Sequence, residues 1–203
     1  NTEEVAVATT EATQPEDSEW EVLFDGTNID KWHAYNGGDP TQWEIVDDVL
    51  VFTPAENRNG SENLVTNEAY TSFVLKMDWM ISEGGNSGIK YFVDTDLNRG
   101  KGSAIGCEYQ ILDDRNHPDA KEGIAENRTL GSLYDLIPAD ALCYGQDNRT
   151  KRFNGVGKWN RARIEVRGST VSHSLNGVKI VEYERGTQLW KALVAYSKYA
   201  KWP

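Results

Sequence analysis

Gly85-Asn86-Ser87-Gly88-Ile89-Lys90-Tyr91-Phe92 and Gly106-Cys107-Glu108-Tyr109-Gln110-Ile111-Leu112-Asp113 are the two stretches on which the fold turns. Both read as short β-strands with glycine at the entry and acidic residues at the exit. A strand sends successive side chains to opposite faces. Cys107, Tyr109 and Ile111 therefore share one face, and Glu108, Gln110 and Leu112 the other. In the first run Ile89 and Tyr91 lie opposite Lys90 and Phe92. With the apolar faces in a core, Glu108, Gln110 and Lys90 project from the far side. A carboxylate, an amide and an amine on one sheet face suit a polyhydroxylated ligand and acid/base work on it. The competing reading is a solvated outer face with incidental charges.

Strand signals surround this pair. Ser72–Ser82 carries Phe73, Leu75, Met77, Trp79 and Ile81 in one apolar file, with Lys76 and Asp78 opposite. Asn160–Arg167 alternates Ala162, Ile164 and Val166 against Arg161, Arg163, Glu165 and Arg167. Thr170–Leu175 and Val178–Tyr183 flank Asn176-Gly177, a type I′ hairpin signal. Trp43–Thr53 reads as a hairpin with Asp47-Asp48 at its tip and no glycine there. Shorter strands are expected at Glu21–Gly26, Trp32–Tyr35, Asn63–Thr66 and Gly131–Leu136. Some helix is expected at Pro138–Leu142. One amphipathic helix is expected over 187–200, with Leu189, Leu193, Tyr196 and Tyr199 on its apolar side. Many short strands and little helix predict an all-β, antiparallel two-sheet sandwich. Residues 113–130 and 138–158 are long polar loops, and loops this long are usually functional.

Residues 1–18 have no hydrophobic period and are read as a disordered acidic leader, with 19–203 as one domain. An acidic, Thr/Ala-rich start without an initiator Met fits a spacer behind an export signal. The expectation is an exported protein, periplasmic, at the cell surface or lipoprotein-anchored; an arbitrary boundary would look the same. The formal net charge of −11 argues against a nucleic-acid partner, whose phosphates need a basic footprint. No stretch approaches the length of a membrane span. Seven Trp and nine Tyr in 203 residues supply rings for a β core or for sugar stacking. Two cysteines, Cys107 and Cys143, make neither a disulfide framework nor a zinc pattern, and Cys107 is expected as a buried free thiol. Asn59, Asn127 and Asn148 each begin an Asn-x-Ser/Thr triplet.

Asp94-Thr-Asp96-Leu-Asn98-Arg-Gly100 has oxygen ligands at every second position, like the start of a calcium loop. Its Gly falls one residue late and its twelfth position is Ile105 rather than Glu. A divalent metal such as calcium and a plain acidic turn are both open. His33, His117 and His173 show no paired spacing for zinc. His173 shares a strand face with Val171 and Leu175, which favours a satisfied histidine at the core edge. An ordinary glycosidase needs two carboxyl groups about 5–10 Å apart. Here Glu108 and Gln110, about 7 Å apart on one face by strand rise, pair a carboxylate with an amide.

These residues carry a resemblance. Val22-Leu23-Phe24-Asp25-Gly26 with Trp32, Trp43–Leu50, Phe73-Val74-Leu75, Gly85–Ile89 and Glu108–Asp113 match, in order, the bacterial 3-keto-disaccharide hydrolase family. So do Gly131–Tyr134, Lys158-Trp159-Asn160 and His173–Val178. The resemblance implies a concanavalin A-like jelly-roll sandwich of the lectin/glucanase type, with a carbohydrate as partner. It also implies action on sugars oxidised at C3. A C3 ketone acidifies the C2 hydrogen, so a base removes it, the C1 substituent leaves, and water adds back. On this view Glu108 is the base, and Lys90 or a bound divalent metal stabilises the enolate. Asn86, Gln110, Asp113, Tyr134 and His173 are the substrate-binding candidates. Asp94, Asp96 and Asn98 are the metal candidates. Family members end in a further strand absent from this sequence, so a missing final strand is expected. A non-catalytic carbohydrate-binding module and an ordinary glycoside hydrolase remain the alternatives, because fold does not fix function.

Overall fold

The computed structural model describes residues 20–54, 62–98, 103–140 and 151–202. Cys143, Asn59, Asn148 and the expected leader lie outside them. Ten strands run through the described residues: β1 (Trp32–Ala34), β2 (Trp43–Val46), β3 (Val49–Phe52), β4 (Leu64–Thr66), β5 (Phe73–Trp79), β6 (Asn86–Asp94), β7 (Ile105–Leu112), β8 (Asn160–Arg167), β9 (Thr170–Leu175) and β10 (Val178–Glu184). One α-helix, α1 (Gln188–Ala195), follows them. No helix among the described residues is long and apolar enough to cross a membrane.

All the strand pairs are antiparallel, and β10-β9-β8-β5 form one four-stranded sheet. Its inner face carries Ala162, Ile164 and Val166 from β8 and Val171, His173 and Leu175 from β9, all buried. The alternation read from the sequence is the alternation that packs. Each such Val, Leu or Ile contributes about 1.5–3 kcal/mol by leaving water. Across this core lies the β6–β7 pair, presenting Ile89, Tyr91, Tyr109 and Ile111 to the same cluster. The Tyr109 ring sits 4.8 Å from the His173 ring, centre to centre. This is the expected all-β antiparallel sandwich.

The register of β6 and β7 decides what faces outward. Lys90 pairs with Glu108, Ile89 with Tyr109 and Gly88 with Gln110. The register shifts only between Tyr91 and Asp94, where Phe92 takes a φ of 52°. A bulge placed there leaves the faces of Glu108 and Tyr109 as alternation predicts.

Several expectations change. Glu21–Gly26 forms no strand. Residues 131–137 form turns with two isolated bridges, Tyr109 to Leu133 and Leu133 to Ile137. This segment lies as a strap along the edge of β7, joined to it by backbone hydrogen bonds without forming a regular strand. Residues 138–140 are irregular rather than helical. The expected long helix is only α1, followed by a 3₁₀ turn at Lys198–Lys201. Its apolar side is Trp190, Leu193 and Val194, while Leu189 and Tyr196 are 70% and 86% exposed. Trp190 stacks on Tyr183 with ring centres 5.1 Å apart, and that contact sets the helix rotation. The Asp47-Asp48 tip turns without glycine: φ is 50° and 63° there, a conformation Asp tolerates better than most residues. Asn127 is buried with its carbonyl oxygen on the Ile124 N–H, so its triplet is not a surface loop.

Candidate active site

On the outer face of β6–β7 the Lys90 and Glu108 side chains are largely shielded and Gln110 is buried. The 131–137 strap runs beside β7, tied to its edge by backbone hydrogen bonds. Gln110 N–H donates to Ser132 O at 3.1 Å, Gly131 N–H to Gln110 O at 2.8 Å, and Tyr134 N–H to Glu108 O at 3.0 Å. Strand register then sets two rows across the face: Lys90, Glu108, Tyr134 and Gly88, Gln110, Ser132.

Glu108 is the centre of the first row. Its side chain is 13% exposed, and one oxygen lies 3.9 Å from Lys90 Nζ. The carboxyl leans over Gly88, where an added Cβ would come 2.2 Å from Oε1. Burial raises its pKa above the usual glutamate value; Lys90 and Lys198 oppose the rise and Asp119 adds to it. The Lys90 ammonium is held by Ser103 Oγ and, at 2.9 Å, by the Ala104 carbonyl.

A clasp of side chains shapes the rest. Arg128 donates from Nε to Asp135 at 2.7 Å and from Nη1 to Asp119 and Glu122, each at 3.2 Å. Tyr134 donates its hydroxyl to Asp119 at 2.9 Å. The other Asp135 oxygen accepts the Lys198 backbone N–H at 2.7 Å, bringing in the 3₁₀ turn after α1. Lys198 Nζ then lies 3.8 Å from the Tyr134 ring centre and 4.9 Å from that of Tyr199. Burial raises the Tyr134 hydroxyl's pKa first, and its bond to Asp119 raises it further. Burial raises that of Tyr199 as well.

The structure brings Glu108, Lys90, Tyr134 and Gln110 together. Gln110 is 1% exposed and donates to Asn86 at 3.3 Å, while its own carbonyl oxygen finds no partner among the described residues. Asn86 is exposed near the start of β6, opposite Leu112 and 3.5 Å from His117 Nε2. Two expected substrate residues are elsewhere. His173 is fully buried between the sheets, hydrogen-bonded to Tyr91 and to the Gly131 carbonyl, so it touches no substrate. It occupies the core face that it shares with Val171 and Leu175. Asp113 lies past the end of β7, where its carboxylate accepts from Gly84 N–H, Arg115 N–H and the Asn116 amide. The Gly84 hydrogen bond leads in lowering its pKa. That carboxylate closes a turn beside a cleft of about 620 Å³ lined by Leu112, Asp114, Leu130 and Phe153.

The calcium-loop residues do not build an ion cage. Asp94 turns an oxygen back to the Asp96 N–H at 2.9 Å, and Asn98 points its NH₂ at Ser103 O at 3.0 Å. These bonds make an acidic turn. Among the described residues no three His, Cys, Asp or Glu side chains converge as metal ligands. Cys107 is a free, partly buried thiol.

Sequence reading missed Gly88 as a spacer, Asp119 and Arg128 in the long loop, and Lys198 and Tyr199. The polar run after Asp113 was the available signal for the first two loop residues. Nothing local marked Lys198.

Residues 19–201 match the 3-keto-alpha-glucoside-1,2-lyase-like domain. The chain belongs to that family. Over 198 residues this lyase-like domain is 36% identical to a 3-keto-disaccharide hydrolase of Bacteroides thetaiotaomicron. The match covers 89% of this chain and spans 64% of that relative's length. A crystal structure from Parabacteroides distasonis, named a "putative glycosyl hydrolase", superposes with a TM-score of 0.74 at 31% identity, covering 90% of this chain and 80% of that one. A second structure of the same name and organism gives 0.54 at 26% identity, covering 76% and 73%. The lyase-like domain thus shares its sandwich with both.

Proposed function

We propose that this chain is an enzyme cleaving glycosidic bonds of sugars oxidised at C3, with Glu108 as the base. The observation that carries the reading is the Glu108 carboxyl, desolvated, leaning into the space left by Gly88 and flanked by ammonium groups. Desolvation raises the basicity of a carboxylate toward the range where it takes and returns a proton.

The ketone at C3 makes the C2 hydrogen acidic. Glu108 takes that proton, and the C–H electron pair moves into an enolate across C2, C3 and O3. The pair then returns: C3=O reforms, C1=C2 forms, and the C1–O bond breaks. The departing oxygen receives the proton held by Glu108. Hydrolysis is completed when water adds at C1 and a proton at C2. The family's description as a 1,2-lyase agrees with the first half of this sequence, and the B. thetaiotaomicron relative's name with the whole.

A two-carboxylate glycosidase mechanism is less well supported. Asp119 is the second carboxylate near Glu108. It accepts from both Tyr134 and Arg128. One of its oxygens is tied to Arg128 and the other to Tyr134, so the carboxylate is built into the clasp rather than offered to a sugar as the nucleophile or base that would partner Glu108. The test is incubation with a 3-keto-disaccharide and with its unoxidised parent. Cleavage of the keto form alone is expected. Cleavage of the parent at a comparable rate overturns the reading in favour of an ordinary glycosidase; binding of the keto form without turnover overturns it in favour of a binding module.

A further inference from the structure

An elimination through an enolate needs a positive group at O3, and two ammonium groups flank Glu108. They are not equivalent. Lys90 already gives hydrogen bonds to Ser103 and Ala104. An ammonium has three donors, so the protein itself occupies most of what Lys90 offers. Its place, 3.9 Å from the Glu108 carboxylate, is that of a counter-ion to the base.

Lys198 differs in each respect. Its backbone N–H is anchored to Asp135, so the residue is fixed in place while its side chain is free to serve. The residue is exposed, and its ammonium end rests on the faces of Tyr134 and Tyr199. Among the described residues no oxygen accepts a hydrogen bond from that ammonium. An aromatic face attracts a cation but leaves its N–H donors without an acceptor. Tyr134 itself is directed by its Asp119 hydrogen bond and by the backbone bond that sets it beside Glu108. The result is a cation on an aromatic ledge, next to the base, with its donors unclaimed.

We propose that Lys198, not Lys90, binds the substrate's C3 carbonyl oxygen and holds the enolate charge. This rests on the reading given under Proposed function. The groups facing Lys198 are Glu108 and Lys90 from the sheet, Tyr134, Asp135 and Arg128 from the strap and its loop, and Tyr199 from its own turn. Burial leads in lowering the pKa of the Lys198 ammonium, Glu108 raises it back, and Lys90 lowers it again. A lowered ammonium is a stronger donor to an oxyanion. It also places the pH at which activity is lost on the alkaline side below that of an ordinary lysine, because only the protonated form can act.

The experiment compares wild type, Lys198→Met, Lys198→Arg and Lys90→Met on a 3-keto-disaccharide. It measures kcat, KM, the pH profile, and exchange of the C2 hydrogen in D₂O by NMR. Lys198→Met is expected to lose on the order of a hundredfold or more in kcat and in C2 exchange, with KM changed little. Lys198→Arg keeps the charge, so part of the activity remains and the alkaline limb moves to higher pH. Lys90→Met is expected to lose less kcat than Lys198→Met. Lys198→Met within threefold of wild type in kcat overturns the inference. So does an unmoved alkaline limb in Lys198→Arg, a readout that decides even where the Met variant fails to fold. Wild type that leaves the keto-disaccharide intact overturns the reading beneath it, and this inference with it.

Discussion

Gly88 and Glu108 occupy one space: the Glu108 carboxyl sits where a side chain on Gly88 would be, with Oε1 2.2 Å from the position of an added Cβ. The two lie on adjacent strands, Gly88 opposite Gln110 and Glu108 opposite Lys90. The glycine of the Asn-Ser-Gly-Ile run is thus explained by its neighbour's carboxylate rather than by its own backbone.

Gly88→Ala should therefore remove activity while leaving the fold. A methyl group at this distance must displace the carboxylate, and a misplacement of about 1 Å in a positioned base costs about a hundredfold. Alanine is no worse than glycine in a strand for backbone reasons. The expected outcome is a loss of kcat on the order of a hundredfold with the thermal midpoint within a few degrees of wild type. In a Glu108→Ala background the same change should cost almost nothing, and a further large loss there would contradict the relationship.

Glu108→Gln separates chemistry from stability. The folded state raises the Glu108 pKa by burial above its ordinary 4.5. Between the ordinary and the raised value the folded state binds more protons than the unfolded one. Glu108 therefore costs stability as pH rises through that window, and costs none of this kind below about 4.5. Glutamine keeps the size without the charge. Turnover should fall about a hundredfold or more, while at neutral pH the variant melts at least as high as wild type. That advantage should shrink on acidification toward pH 4. The acid limb of wild-type activity should lie above the usual glutamate range, since only the carboxylate accepts a proton. A Gln variant equally active, or less stable at pH 7 than at pH 4 relative to wild type, would refute this.

Alternation along β5, β7 and β8 made the sandwich readable, because each strand has one face in the core and a slipped register would bury its charges. The same logic placed Glu108 and Gln110 outward and His173 inward. It failed where contacts are made by segments without a period. The strap is held by backbone bonds to β7, which no pattern of side chains advertises. Lys198 comes within electrostatic range of Glu108 because Asp135 catches its N–H across 63 residues of chain. Arg128 sits in a polar loop among other charges, and its role depends on Asp119 and Asp135 meeting it in space. Leu189 and Tyr196 share a helical face by spacing alone; the stacking of Trp190 on Tyr183 rotates α1 so that both point outward.

Arg128→Met should loosen the site from a distance. Asp119 and Asp135 are both little exposed and rely on its guanidinium. Removing one partner of such a cluster leaves carboxylates uncompensated, a loss of about 3 kcal/mol. Urea unfolding should show it as a lower midpoint. Arg128→Lys should not restore it, because the fork that serves Asp135 from Nε and Asp119 from Nη1 has no ammonium equivalent. Lys rescue to wild-type stability would show that charge alone matters.

His173 predicts a pH dependence of stability that belongs to no step of catalysis. Its Nδ1 faces the Gly131 carbonyl at 3.0 Å, and a carbonyl only accepts, so Nδ1 carries the proton. Nε2 must then accept from the Tyr91 hydroxyl at 2.7 Å, and Tyr91 in turn accepts from Tyr183 at 2.9 Å. The network is satisfied only by a neutral imidazole. Burial lowers the His173 pKa from 6.5 to about 4, against the Gly131 hydrogen bond, which raises it. Between those values the unfolded chain binds the proton and the folded chain does not. The stabilisation from holding His173 neutral is therefore whole above pH 6.5 and is lost as pH falls to about 4, about 3 kcal/mol in all. His173→Leu should be less stable than wild type at pH 7, because Gly131 O and Tyr91 Oη lose their partner. Its unfolding free energy should nevertheless fall less steeply between pH 6.5 and 4. The two curves, measured in urea at matched ionic strength, should converge toward acid. Parallel curves would show that the histidine titrates normally, and so that the sheets do not hold it dry.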